Sequence, residues 1–282
     1  MGEGEREDLA VTSPLATFPR IARRRDGIRE EPRTLPEEAA VAFSYGGTTH
    51  AVMMATPADL EDFALGFSLT EGIIASPDEI ETIDVQDLGV GFDVQIRLKD
   101  AANHRFEARR RRLAGPVGCG LCGIESIEEA MRSVPSVPGT DVRLAHDQVV
   151  AAVRFLSERQ VLHKATGAVH AAGLYMPGEG VVAAREDVGR HNALDKLAGA
   201  LARMNVAAGT GAVVITSRVS VEMVQKSAAI GAPVVIAVSA PTALAVRTAE
   251  TAGITLVALV RGEEYDVFTH SERIGVSDHV SS

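Results

Sequence analysis

Between residues 161 and 260 the chain alternates short, unbroken apolar runs with stretches whose apolar residues recur at helical spacing, and few architectures accept that pattern. Residues 212–216, 234–238 and 254–260 are, apart from Thr216 and Thr255, continuous in Val, Ile, Leu and Ala and read as strands buried on both faces. Between them, 221–230 closes on Gly231 with Pro233 behind it, and 241–252 closes on Gly253; both are helix endings. Leu194, Leu197, Ala198 and Leu201 share one face of a further helix over 195–204, and a strand pair is predicted at 169–175 and 180–185 around Pro177-Gly178-Glu179-Gly180. Doubly buried strands joined by amphipathic helices imply an α/β unit, a largely parallel sheet with helices on both sides, in which 254–260 is the last core strand.

In such sheets ligands settle beyond the carboxyl ends of the strands. The loops predicted there are Glu186-Asp187-Val188-Gly189-Arg190-His191-Asn192, Ser217-Arg218-Val219-Ser220, Ser239-Ala240-Pro241-Thr242 and Arg261-Gly262-Glu263-Glu264. Three arginines, an imidazole, hydroxyls and helix starts suit phosphate and a purine edge. His191 and Asn192 are candidate ligand readers with Asp187 as a helix cap; capping and ordinary surface polarity is the alternative. Neither a G-x-x-x-x-G-K-[ST] loop nor a G-x-G-x-x-G following a strand occurs, so any nucleotide site is of a non-standard kind.

Upstream the pattern changes. Residues 1–34 are polar and aperiodic and read as a flexible arm holding Arg23-Arg24-Arg25. Residues 35–115 read as a small α+β unit: strands over 40–45 and 48–54 around Gly46-Gly47, then a helix ending near Gly72, then strands over 80–85 and 90–98. Thr56-Pro57-Ala58-Asp59 supplies that helix with a cap, a proline at its first position and an early acid. Residues 116–140 form a mobile, glycine-rich loop and linker with a short helical stretch over 127–131. Residues 141–282, opening on a helix over 145–160, make up the α/β domain.

The mobile loop holds both cysteines of the 282-residue chain, in Gly118-Cys119-Gly120-Leu121-Cys122-Gly123. Two cysteines exclude a disulfide framework, and one C-x-x-C supplies half a structural zinc site. Exposure beside the arginines at 109–112 favours a reactive or sulfur-carrying thiolate. A zinc or dithiol role for Cys119 and Cys122 and a chance pairing stay open, although the βαβ setting of a thioredoxin-like dithiol is missing. Zinc deamination fits poorly: His170 is followed by Ala171-Ala172, which leaves out the general-acid glutamate of H-x-E, and the cysteines precede it.

A formal net charge of −10 argues against nucleic acid as a bulk partner. Only Lys99, Lys164, Lys196 and Lys226 are lysines among the 28 basic residues, so arginine dominates. With no apolar run of about 18 residues and no signal-peptide core, a cytoplasmic location and no membrane partner are expected.

Several of these stretches occur together in one family. Leu60-Glu61-Asp62-Phe63-Ala64-Leu65-Gly66-Phe67 with Thr70-Glu71-Gly72, the Cys119–Cys122 segment, Glu186 to Ala193 with Asp195-Lys196, Ser220 to Lys226, and Ser239-Ala240-Pro241-Thr242 together resemble the FdhD family of formate dehydrogenase accessory sulfurtransferases, in order from about residue 35 to 275. The resemblance implies an enzyme, a sulfurtransferase. It would take sulfur from a cysteine desulfurase as a persulfide on Cys119, with Cys122 secondary, and pass it to the molybdenum of bis-molybdopterin guanine dinucleotide, which formate dehydrogenase needs. A persulfide is more acidic than a thiol, which suits donation at neutral pH.

The resemblance places cofactor binding on Leu259, Val260, Arg261, Gly262, Glu263 and Glu264. The strand-end argument adds Ser217, Arg218, His191, Asn192, Ser239 and Thr242, and GDP-like nucleotides would occupy the same site. The implied fold is a three-layer, cytidine deaminase-like C-terminal domain behind the smaller α+β subdomain. The implied partners are the desulfurase, the catalytic subunit of formate dehydrogenase and a second copy of the chain. A non-catalytic molybdenum-cofactor-binding chaperone is the alternative.

Overall fold

A computed structural model describes residues 13–113, 134–137 and 141–275, with side chains left out over 109–113. Cys119, Cys122 and the 127–131 stretch lie outside the described residues.

The large unit is built on a six-stranded sheet from β8 (His170–Met176), β9 (Gly180–Asp187), β10 (Ala212–Ile215), β11 (Val234–Ala237), β12 (Thr255–Arg261) and β13 (Glu264–Thr269), in the order β13-β12-β11-β10-β8-β9. Its centre is the apolar set expected: every residue of β10 and β11 is buried. Helices α5 (Arg190–Arg203), α6 (Val221–Ala229) and α7 (Ala243–Ala252) cover one face through Leu194, Leu197, Met223, Val224 and Ala249. Helix α3 (His146–Arg159) covers the other through Val149, Ala152 and Leu156. A short pair, β7 (Leu144–Ala145) with β14 (Ile274–Gly275), flanks it. Among the described residues no helix is long and apolar enough to cross a membrane.

The sheet is mixed, which corrects the largely parallel one expected: β10–β11 and β11–β12 are parallel, whereas β10–β8, β8–β9 and β12–β13 are antiparallel. Tight turns cannot join parallel neighbours, so the two hairpin turns at 177–179 and 262–263 dictate the antiparallel edges. Nor is β12 the last strand, because β13 alternates exposed and covered residues and escaped a search for apolar runs. Strands β9 to β12 nevertheless point the same way, since β9 and β10 are both antiparallel to β8. Their carboxyl ends share one edge.

The small unit is a four-stranded sheet, β4-β3-β6-β5, from β3 (Ala39–Tyr45), β4 (Thr48–Ala55), β5 (Ile80–Asp87) and β6 (Gly91–Leu98). Helices α1 (Leu60–Thr70) and α2 (Asp100–Leu113) lie on it, and Phe43, Phe63 and Phe67 form its centre with ring centroids 4.8 and 5.0 Å apart. The basic run at 105–112, given no element above, is helical; Ala102 and Phe106, one turn apart, bury its apolar side.

A further correction concerns the arm. Leu15–Arg24 and Gly27–Pro36 form an antiparallel hairpin, β1 and β2, braced by Arg20 and Arg24 on Glu31 and resting on helix α4 (Val161–Thr166) through Arg33 on the Thr166 carbonyl. Most of the hairpin's side chains, Phe18, Ile21 and Ile28 among them, are exposed, so no one-sided alternation marks it in the sequence.

Candidate functional site

The two units meet where α1 crosses α5 at very short range. A Cβ on Gly66 would stand 1.7 Å from the Asp195 carbonyl, and one on Gly199 would stand 1.9 Å from that of Asp62, so only glycine permits the crossing. Helix α5 is buried continuously from Asn192 to Leu201, so its Asp195 and Lys196 require partners inside the protein. Lys226 of α6 donates to Asp195 at 2.9 Å, Glu71 at 2.6 Å and Thr70 at 3.1 Å, and Thr70 donates to Asp195 at 2.6 Å. Arg185 donates from Nε and Nη2 to one oxygen of Asp62. Two of the four lysines of this chain are therefore spent inside the seam.

Asp187, the last residue of β9, accepts from Gly189 N at 2.7 Å, Asn192 Nδ2 at 2.9 Å and Thr56 N at 3.0 Å, and pairs with Lys196 Nζ at 2.6 Å; both partners are fully buried. Burial pushes the Lys196 ammonium down from its ordinary range, and the Asp187 carboxylate opposes that shift. Asp187 thus ties the β9–α5 turn to the small unit; the capping residue of α5 is Gly189. Asn192, expected to read a ligand, turns inward and also donates to the Met54 carbonyl at 2.9 Å. Thr56 does not cap α1, which begins at Leu60 behind Asp59 in a left-handed conformation.

His191, one position earlier on α5, faces the edge half-buried, with Nε2 at 2.9 Å from Glu222 and 3.4 Å from Ser220 Oγ. Burial lowers its pKa, helped by Arg190 and Lys226 and opposed by Glu222. His170, paired with Asp187 across β8 and β9, is lowered by burial, then by Arg190 and His163, against Asp187. Both shifts favour the neutral imidazole, which can give or take a hydrogen bond. Arg190 stands between them in charge, and its buried Nε finds no acceptor among the described residues.

The remaining loops are laced side by side. Val219 bridges Pro241, Thr242 N donates to the Val219 carbonyl at 2.9 Å, and Leu259 N reaches the Ser239 carbonyl at 3.4 Å. Arg218, Thr242, Arg261, Gly262, Glu263 and Glu264 are exposed there, and Ser239 and Leu259 half-exposed. Thr242 caps α7 by accepting from Ala245 N. The 261–264 segment is the hairpin turn between β12 and β13, preceded by a bulge at which Leu259 has φ 60°. Two expected contact residues face inward: Val260 belongs to the core beneath α3, and Ser217 is buried with its hydroxyl on the Arg218 carbonyl at 3.0 Å.

The edge thus gathers Arg190, Arg218 and Arg261 with the imidazoles of His170 and His191 and the starts of α5, α6 and α7, an arrangement suited to a polyanion carrying a polar ring. Among the described residues no group of three or more His, Cys, Asp or Glu could hold a metal ion. Sequence reasoning missed the seam. The signal was present as adjacent Asp195 and Lys196 in a helix whose other residues from Ala193 to Ala202 are all Ala, Leu or Gly.

Comparison with known proteins places the chain. The profile of the FdhD/NarQ family matches residues 36–275. A protein from Agrobacterium fabrum named Sulfur carrier protein FdhD is 57% identical over 271 residues, spanning 94% of this chain and 99% of the relative. A protein of the same name from Brucella abortus is 56% identical over 90% of this chain and 94% of its own length. A crystal structure from Desulfotalea psychrophila, provisionally described as a formate dehydrogenase accessory protein, superposes with a TM-score of 0.74 at 26% identity, covering 93% of this chain and 99% of the other. The chain belongs to the FdhD/NarQ family.

Proposed function

We propose that this protein is a sulfurtransferase that carries sulfur on Cys119 to a molybdenum cofactor destined for formate dehydrogenase. The observation that carries the reading is that a chain closely similar to proteins named sulfur carriers holds only two cysteines, both in one C-x-x-C. The Cys119 thiolate attacks the outer sulfur of a cysteine desulfurase persulfide. The S–S bond to the donor breaks, the donor cysteine leaves as thiolate, and Cys119 keeps the outer sulfur as its own persulfide. That sulfur then passes to the molybdenum of bis-molybdopterin guanine dinucleotide, which is cargo and not a resident group: the Cys119 S–S bond breaks, Cys119 is left as thiolate, and the two electrons that take the transferred sulfur to the sulfide level come from the reduced molybdenum of the cargo.

The open strand edge is the face we assign to the cargo. Arg218, Arg261 and Arg190 would meet its phosphates, and His191 and Thr242 its polar ring edges, while Leu259 and the 262–264 turn line the rim. GDP, which shares the guanine and diphosphate, would bind there too. We read the stack of α5, α6 and α7, sheet and α3 as the cytidine deaminase-like layering, and we propose a cytoplasmic homodimer that also meets the catalytic subunit of formate dehydrogenase. Cells lacking their own copy and supplied with Cys119→Ala are expected to produce folded but inactive formate dehydrogenase. Full activity with Cys119→Ala would leave a binding chaperone as the function.

A further inference from the structure

Thr56 was expected to cap a helix, and the structure gives it other work. It is fully buried at the end of β4, and all of its polar groups engage the large unit. Its N–H donates to Asp187 at 3.0 Å, its hydroxyl accepts from Val188 N at 3.1 Å, and its carbonyl accepts from Lys196 Nζ at 2.8 Å. Asp187 completes the lock through Gly189 N and Asn192 Nδ2, and Asn192 returns to the small unit at the Met54 carbonyl. Little slack exists inside this turn: a Cβ on Gly189 would stand 2.7 Å from Asn192 Nδ2. Arg190 and His191 emerge directly from it as the first two residues of α5.

We infer that Thr56 and Asp187 are positioning residues, through which the small unit sets where Arg190 and His191 stand at the cargo-facing edge. No contact with cargo is required of either. The inference rests on the reading of that edge as the nucleotide-binding face. A turn whose Val188 and Gly189 N–H groups and Asn192 amide are each held by a buried acceptor has one favoured conformation, and removing an acceptor strands a buried N–H that drives the turn elsewhere. Around His191 the groups that sense such a movement are Glu222 and Ser220 at the start of α6, Arg190 on its own helix and Lys226.

The test uses the full chain with His191 followed by NMR titration of its imidazole and GDP as the probe ligand. Thr56→Val keeps the shape and deletes the acceptor for Val188 N; Asp187→Asn keeps the size and deletes the charge. Tyr45→Phe, which loses the 2.7 Å bond to Ser68 within the small unit, is the control for simple destabilisation. In Thr56→Val the His191 midpoint is expected to move and GDP binding to weaken about three- to tenfold, as for one lost hydrogen bond, with Tyr45→Phe unchanged in both. Asp187→Asn is expected to do more if it folds; if it does not, Thr56→Val decides. An unmoved His191 in folded Thr56→Val, or an equal movement in Tyr45→Phe, overturns the inference. Failure of the wild-type protein to bind GDP would instead count against the nucleotide reading, and the His191 titration would still decide the positioning claim.

Discussion

Asp187 and His191 stand four residues apart on two sides of one turn, and their surroundings could hardly differ more. Asp187 belongs to the seam between the units, where each buried charge lies beside a counter-charge: Lys196 on Asp187, Lys226 on Asp195 and half-buried Glu71, half-buried Arg185 on Asp62. His191 belongs to the open edge, where Arg218 and Arg261 are exposed and Arg190 keeps a buried Nε without an acceptor among the described residues. Both regions come from the same motif stretches of the sequence. Charge in the seam is structural because its partners come from the protein; charge at the edge is what the proposed function assigns to the cargo.

That contrast predicts opposite responses to mutation. The largest effect on stability is expected from Lys196→Met, which leaves the fully buried Asp187 carboxylate unpaired and should cost about 3–5 kcal/mol in urea unfolding. A loss below about 1 kcal/mol would mean that the seam tolerates an uncompensated charge, and the contrast would fail. Arg218→Ala with Arg261→Ala should do the reverse, changing unfolding by no more than about 0.5 kcal/mol while weakening GDP binding in calorimetry. Wild-type affinity in that double mutant would detach the edge from the nucleotide.

A smaller effect is set by pH. His170 and His191 bind protons less tightly folded than at their ordinary value of 6.5. Between the lowered folded values and 6.5 the unfolded chain therefore holds more protons, and stability falls as pH drops through that window. Replacing both histidines by glutamine should flatten the decline in melting temperature between pH 7 and 5.5. A decline of unchanged slope would assign it to other groups.

The division between seam and edge was only partly legible in the sequence. Strands β10, β11 and β12 announce themselves because burial on both faces leaves them no polar positions beyond the two ends of β12, Thr255 and Arg261, and the strand-end argument then locates the edge from topology alone. The parallel order fails at β8, which runs against both of its neighbours, and β13, hidden by its alternation of exposed and covered residues, returns antiparallel on β12. Hairpin β1–β2 lacks a one-sided apolar pattern, so it reads as an irregular arm. Among the site residues, Arg218, Arg261 and Thr242 reach the surface as expected, whereas Asn192, Ser217 and Val260 face inward. Whether a polar residue at a strand end faces a ligand or a neighbouring domain depends on packing between units more than 120 residues apart, as with Thr56 and Val188. Local spacing does not encode that choice.

Cys119 is where the sulfur-carrier account is most exposed. The full-length protein, incubated with a cysteine desulfurase and cysteine and then digested under non-reducing conditions, is expected to carry the mass of one added sulfur atom on the Cys119 peptide. The adduct should persist in Cys122→Ala and vanish in Cys119→Ala. With the desulfurase demonstrably active, a Cys119 peptide bearing no added sulfur would contradict the account.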